Sequence, residues 1–453
     1  MAAKKSSTKF VCQNCGTSFA KWSGKCENCG EWNTLIEQVV EDPAEAKSAL
    51  ARGAVSGKKL DVSSISEIAP SDEKARLKTN FKDLDAVLGG GILEGSVSLL
   101  AGQPGIGKST LLMQICATIS KSKPVLYISG EESAGQVKLR AKRLGANSDQ
   151  LFFASSTSGN DIAKTIESGN YSLAIVDSIQ TLSLAEISSA PGTVSQVNNC
   201  GNLIIRAAKA TDTAVVIVGH VTKDGSLAGP KVLEHLVDVV LNFEGDRYGG
   251  FKTVRAVKNR FGATSEVAIF EMNDKGLSEV ADPSSALLAE RQNTDGSIIL
   301  ATLEGTRPIL VEIQALVTKS NFGYPKRTAS GFDINRLNLL IAVLERRTKL
   351  KLDDKDIFIN VVGGMRLQDS AADLAVCMAI ASAAAGRKLS EDYVVFGEVG
   401  LGGEVRSAFR PDQRIAEAKK LGFKHALAPA SVKDSFVEPA KDLRTTLIKY
   451  VNK

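Results

Sequence analysis

The sequence predicts an α/β protein with a mostly parallel central sheet, preceded by a small cysteine-rich module and followed by a separate α+β block. Three observations carry this prediction. Cys12, Cys15, Cys26 and Cys29 crowd together near the N-terminus. From about Val62 to Ser278, near-continuous apolar runs alternate with helical stretches. Beyond Pro283 the pattern changes to mixed strands and helices.

The 453 residues are too many for one typical domain. A hydrophobic content of 43% and a charged content of 24% let each block bury its own core. The net charge of +5 is small, so polyanion binding depends on where the basic residues sit. No apolar run approaches the roughly 20 residues of a membrane span. Met1-Ala2-Ala3-Lys4-Lys5 carries charge with no apolar stretch behind it, unlike a signal peptide. The expectation is a cytoplasmic chain with no membrane contact and reduced thiols. Cys116, Cys200 and Cys377 lie far apart and read as small buried side chains.

The elements follow in order. The cysteine module occupies residues 8–36, and a polar linker covers 37–58. The α/β block covers 59–280. Val97–Ala101 reads as a strand that enters a glycine-rich loop, with a helix over Leu111–Ile119. Pro124–Ile128 is the next strand, and a basic helix lies near Gln136–Leu144. Leu173–Asp177 and Ala214–Val218 are two more buried strands, and Val237–Phe243, Thr253–Val257 and Val267–Glu271 are later ones. In the last block, 284–453, strands are expected at Ile298–Thr302, Ile309–Val317, Tyr393–Val399 and Glu404–Arg406. Helices are expected at Asn335–Glu345 and Ala371–Ala385.

In the first module, two Cys-x2-Cys pairs are separated by ten residues. Each pair can form a knuckle that offers two thiolates to one ion, and four soft sulfurs suit tetrahedral zinc. Gly16 and Gly30 follow the knuckles where the chain turns sharply. Four thiolates leave no open position, so the role is structural and the metal supplies folding energy. Trp22 and Trp32, with Lys21 and Lys25, either pack this module or contact a nucleic acid or protein.

The segment Gly102-Gln103-Pro104-Gly105-Ile106-Gly107-Lys108-Ser109-Thr110 fits the phosphate-loop pattern in full. Its N–H groups can cradle the phosphates of ATP, Lys108 can bridge the terminal phosphates, and Ser109 can ligate Mg²⁺. Asp177 ends an apolar strand, where a second carboxylate directed at Mg²⁺ belongs. Glu131 and Glu132 follow the strand at Val125–Ile128, and a carboxylate there can orient an attacking water.

The four-cysteine module, the phosphate loop, Lys258-Asn259-Arg260-Phe261-Gly262 and the final α+β block together resemble the RadA (Sms) family of bacterial DNA repair proteins. Gly219–Gly225 and Ala228–His235 resemble that family's signatures as well. The resemblance spans nearly the whole chain. Gln103 is a small departure, because the family more often carries an acid there.

The resemblance implies a RecA-like P-loop ATPase core, a hexameric ring and movement on DNA. It implies a DNA-dependent ATPase and helicase that processes recombination intermediates by branch migration or strand extension. Its partners would be single-stranded and branched DNA and a RecA-type recombinase. By the same resemblance Glu131 is the catalytic base, and Lys258 and Arg260 are fingers that reach a neighbouring subunit's γ-phosphate. The loops Ile187–Asn199 and Thr222–Lys231 would line the DNA channel, with Lys223 and Lys231 on the second.

The final block resembles the Lon peptidase domain. The register puts Ala371 at the nucleophilic serine, with Ser370 one residue away, and Asp412 near the catalytic lysine. Peptide hydrolysis should therefore be absent. Lys319, Lys326, Arg327, Arg336, Arg346, Arg347, Lys349 and Lys351 cluster in this region, and Lys326, Arg327, Arg346 and Arg347 are the expected DNA contacts. A Lon-type protease and a non-motor scaffold ATPase are the alternatives. Ala371 and Asp412 oppose the first, and Glu131 beside Asp177 opposes the second.

Overall fold

A computed structural model describes residues 7–12, 17–32, 34–40, 64, 76–220, 231–245, 250–320 and 324–451. The chain divides into two compact units. The first holds residues 1–243, 255–264 and 274–276, and the second holds 244–254, 265–273 and 277–453.

The first unit opens with three short antiparallel strands, β1 (Ser7–Cys12), β2 (Ser18–Phe19) and β3 (Leu35–Val40). β1 lies between the other two, with Cys12 opposite Leu35. β3 runs past residue 36 to Val40, so the first residues of the expected linker belong to this small sheet. The rest of the expected linker, 41–58, lies outside the described residues.

Six strands form the core of the first unit: β4 (Val97–Gly102), β5 (Val125–Ser129), β6 (Leu151–Ser155), β7 (Leu173–Asp177), β8 (Ala214–His220) and β9 (Val239–Gly245). Their order is β9-β4-β8-β7-β5-β6, and every pair is parallel. β4, β5 and β7 are buried along their whole length, as continuous Val, Leu and Ile runs require. The basic helix near Gln136 spans Ala134–Arg143, and Ser133 with Gln136 closes its first turn as a capping box.

The helix Val194–Thr211 has no counterpart among the expected elements. Its first turns are rich in Ser, Gln and Asn, which masks the apolar stripe formed by Val197, Ile204 and Ala208. The expected channel loop Ile187–Asn199 is therefore corrected at its second half, because residues from Val194 onward are helical. Part of this segment also holds β3: Ser195 Oγ and Asn199 Nδ2 donate to the carbonyl of Glu37 at 2.7 and 3.2 Å.

In the second unit, strands β13 (Ser297–Glu304), β14 (Arg307–Lys319), β15 (Arg327–Ser330), β16 (Lys355–Val361), β17 (Tyr393–Val395), β20 (His425–Pro429) and β21 (Val437–Ala440) form one mixed sheet. Its order is β15-β16-β14-β13-β17-β20-β21. Three strands precede this sheet in the chain: β10 (Lys252–Asn259), β11 (Val267–Asn273) and β12 (Gly276–Glu279). The expected single strand Tyr393–Val399 is two strands. The chain breaks at Gly397, whose N–H leaves the sheet to bond Ala371 O at 2.8 Å, and β18 (Glu398–Val399) then pairs with β19 (Val405–Arg406). The helix Ala372–Ala385 is buried from Ala372 through Ser382, so its sequence shows no amphipathic period. No helix among the described residues is long and apolar enough to cross a membrane.

Candidate functional site

The nucleotide site forms because parallel register brings strand ends together. Gly102 at the end of β4 lies opposite His220 at the end of β8, and Ser129 at the end of β5 lies opposite Asp177 at the end of β7. The carboxyl ends of parallel strands are where open α/β sheets bind ligands. Here they frame a cleft of about 300 Å³ lined by Gly107, Lys108, Ser109, Glu131, Asp177 and His220, among others.

The glycines are needed for backbone reasons. A Cβ on Gly102 would stand 2.7 Å from Phe243 O, and Gly107 has a φ of +121° just before the helix Lys108–Ile119. That helix points its N-terminus at the cleft, where free N–H groups favour phosphate. Pro104, Gly105, Gly107, Lys108, Ser109 and Thr110 line the cleft. Ile106 is buried beneath them, and neither it nor Gly102 nor Gln103 is part of the lining.

Lys108 is buried, and its ammonium donates to Gly102 O at 2.8 Å, Gln103 O at 3.0 Å and His220 Nδ1 at 3.1 Å. Burial pulls its pKa down to about 8, against the opposing attraction of Asp177 and Glu131. Glu131 accepts a bond from His220 Nε2 at 3.2 Å and another from Ser178 Oγ. The His220 bond leads in holding Glu131 down to about 2, against burial, with Ser178 and Lys108 adding to it. Asp177 is 6% exposed, and Tyr127 OH donates to its Oδ2 at 2.7 Å. Glu132 turns to Arg140 in a bidentate ion pair, which separates its role from that of Glu131. Of the expected residues, the fold brings Lys108, Ser109, Glu131 and Asp177 into one cleft. Asp177 and the Ser109 hydroxyl are oxygen donors suited to Mg²⁺.

Lys258 and Arg260 are outside this cleft. Lys258 Nζ donates to the carbonyls of Glu234 and Val237 at 2.7 and 2.8 Å and of His235 at 3.3 Å, at the end of the helix Lys231–Leu236. Its charge there complements the helix C-terminus. Arg260 is exposed and lies 3.4 Å from Asp238 Oδ1. Asn259 Nδ2 donates to Val87 O at 3.0 Å and its Oδ1 accepts from Phe261 N, which fixes the turn that carries both cations.

Three of the four expected zinc ligands converge. The sulfurs of Cys12, Cys26 and Cys29 lie within 4.8 Å of one another, and Cys12 and Cys26 are buried. Cys15 lies outside the described residues. Three converging thiols in a module with almost no apolar core fit a thiophilic tetrahedral ion. Trp22 and Trp32 are 59% and 68% exposed, so neither serves as a core for this module.

In the second unit, Ala371 is fully buried and carries no nucleophile. Ser370 Oγ donates to Glu398 Oε2 at 3.1 Å, and Asp412 is exposed near the start of the helix Pro411–Lys420. Arg414, on the same helix, is buried and pairs with Asp369 Oδ2 at 2.6 Å. Among the basic residues, Lys326, Arg346 and Arg347 are exposed. Arg327 bonds the carbonyls of Leu352 and Lys355, and Arg336 pairs with the buried Asp373, so these two are tied into the fold. Lys223 lies outside the described residues, and Lys231 begins the helix that Lys258 caps.

His220, Ser178 and Tyr127 were not apparent from the sequence as site residues. His220 stands at the end of an apolar strand and inside the Gly219–Gly225 signature, but neither signal gives it a role beside Glu131.

Comparison with known proteins agrees with this geometry. Residues 64–226 match the family described as AAA domain, and residues 10–37 match the rubredoxin metal binding domain. Residues 337–432 match the subunit ChlI of Mg-chelatase. The DNA repair protein RadA of Bacillus subtilis is 48% identical over 438 residues, covering 96% of this chain and 95% of the relative. RadA of Aquifex aeolicus is 46% identical over 94% of both chains. RadA of Escherichia coli is 44% identical, over 95% of this chain and 94% of its own. The architecture is a RecA-like P-loop core with an N-terminal zinc ribbon and a C-terminal α+β Lon-protease-like domain. With such identity across nearly its whole length, the chain belongs to the RadA family of DNA repair proteins.

Proposed function

We propose that this chain is a DNA-dependent ATPase and ATP-driven DNA motor that processes recombination intermediates by branch migration or strand extension. The observation that carries the reading is the meeting of Lys108, Glu131 and Asp177 in one cleft beside the phosphate loop. In this reading Lys108 neutralises the terminal phosphates and the loop N–H groups hold them. Ser109 and Asp177 would hold magnesium, which would supply positive charge to offset that of the phosphates. Glu131 orients the attacking water. The water oxygen bonds the γ-phosphorus, the bond to the β-phosphate oxygen breaks toward ADP, and the water proton passes to Glu131.

Lys258 and Arg260 complete the site from a neighbouring subunit of a hexameric ring. Their location outside their own cleft supports a role in trans. Four thiolates, from Cys12, Cys15, Cys26 and Cys29, hold structural zinc. The domains are the zinc finger at 8–36 with β3 extending to Val40, the linker, the ATPase at 59–280 and the Lon-like domain at 284–453. That last domain works without peptidase chemistry, which the buried methyl of Ala371 supports. DNA contact falls to Lys223 and Lys231 in the core and to Lys326, Arg327, Arg346 and Arg347 in the last domain. Exposure favours Lys326, Arg346 and Arg347 among these. A RecA-type recombinase is the working partner.

The test is ATP turnover with and without single-stranded or forked DNA, together with strand displacement on a fork. Lys108→Ala and Glu131→Gln should abolish turnover, and DNA should raise it in the unaltered protein. A rate unchanged by DNA, with no displaced strand, would sink the motor reading.

A further inference from the structure

His220 joins two groups that the nucleotide must rearrange. An ammonium has three protons, and those of Lys108 meet Gly102 O, Gln103 O and His220 Nδ1. Because Lys108 donates there, Nδ1 is the bare nitrogen of the ring and Nε2 carries the proton. Nε2–H then donates to Glu131 Oε1 at 3.2 Å. Ser178 Oγ donates to the same oxygen. Oε1 is thus held from two sides, and Oε2 is the Glu131 oxygen left to face a water. Strand register fixes where the backbone of His220 sits, since it is the last residue of β8 and lies opposite Gly102 of the phosphate loop.

We propose that His220 is a positioning residue for hydrolysis, one that pins Glu131 Oε1 and links the carboxylate to the phosphate-loop lysine. This rests on the reading of Glu131 as the group that orients the water. A loose phosphoryl-transfer transition state asks more of the water's alignment than of the base's strength. A carboxylate free to rotate would present either oxygen, or neither, along the line of attack. Arriving phosphates compete for Lys108 and free Nδ1, while the Nε2 bond to Glu131 need not break. The carboxylate therefore keeps its orientation as the lysine changes partners. The other charged groups in the cleft are Asp177, which accepts from Tyr127 OH, and Glu132 with Arg140, which satisfy each other.

The experiment compares His220→Ala and His220→Gln in the full-length protein, with Glu131→Gln as the reference. ATP turnover is measured for kcat and KM, binding of a fluorescent ATP analogue for Kd, and thermal melting for folding. Loss of an orienting partner typically lowers activity by about 10- to 100-fold. His220→Ala should lower kcat by that amount and leave Kd within about twofold, since Lys108 keeps its own route to the phosphates. His220→Gln, which can also accept and donate at that place, should restore most of kcat. Unchanged kcat in His220→Ala overturns the inference. So does a parallel loss of Kd and kcat that Gln does not rescue, because that pattern belongs to a structural role. Full activity in Glu131→Gln would instead remove Glu131 from the reaction, which is a failure of the underlying reading.

Discussion

The phenol of Tyr127 donates to Asp177 Oδ2 at 2.7 Å, beneath the nucleotide cleft, with both side chains buried. Burial and the neighbouring carboxylate raise the phenol's pKa, so it stays a donor at any working pH. A buried carboxylate that loses a donor costs about 1–3 kcal/mol. Tyr127→Phe should therefore lower stability by that amount in denaturant melts and raise the Mg²⁺ concentration needed for half-maximal turnover. Unaltered melting would show that water replaces the phenol without loss.

A composite site makes a distinctive prediction for the Lys258 turn. Lys108→Ala and Lys258→Ala should each be inactive alone. Mixing the two proteins should recover measurable ATP turnover, because some interfaces then pair an intact phosphate loop with an intact Lys258. No recovery on mixing, under conditions where subunits exchange, would place Lys258 in a role within its own subunit. Its bonds to the carbonyls of Glu234 and Val237 are the route for such a role.

Metal content separates the zinc module from the motor core. Cys26→Ser should lose the bound ion, read as zinc per chain, and shift the fluorescence of Trp22 and Trp32, which lie beside the cysteine cluster in sequence and stand largely exposed. Nucleotide affinity should stay close to that of the parent, since Lys108 and its partners come from other strands. Full zinc retention in Cys26→Ser would contradict a four-thiolate site.

Glu438 provides a pH signature for the second unit. Burial would raise its pKa, but bonds from Lys449 Nζ at 2.8 Å, Tyr393 OH and Tyr450 OH outweigh it and hold the group at about 2. A lowered carboxylate contributes stability above its unfolded value of 4.5 and loses it as the pH falls toward about 2. Tm of the parent should exceed that of Glu438→Gln at pH 6, and the gap should shrink as pH drops below 4.5. A gap that is constant with pH would assign the effect to packing rather than charge.

Much of the site was legible because its chemistry is local. The phosphate loop is contiguous, Asp177 terminates its own apolar strand, and the cysteines lie in paired knuckles. β7 appears at the expected bounds of Leu173–Asp177 because a run of Leu, Ala, Ile and Val has few other ways to be buried on both faces. The helix Val194–Thr211 was hidden because its buried Gln196 and Asn198 look like surface residues until their partners are known. Gln196 Nε2, for example, donates to Ser189 O and Ile187 O at 2.8 and 3.1 Å.

The sequence by itself determined the nucleotide loop and the metal-binding pattern, each a matter of residue type at short spacing, and motifs spread along nearly the whole chain identified the family. Only the tertiary structure decided that His220 stands between Lys108 and Glu131, that Tyr127 and Ser178 support the two carboxylates, and that Lys258 caps a helix. Those partners come from different strands, and parallel register sets which strand ends meet. Register follows from the packing of the whole sheet, so no local stretch of sequence contains it.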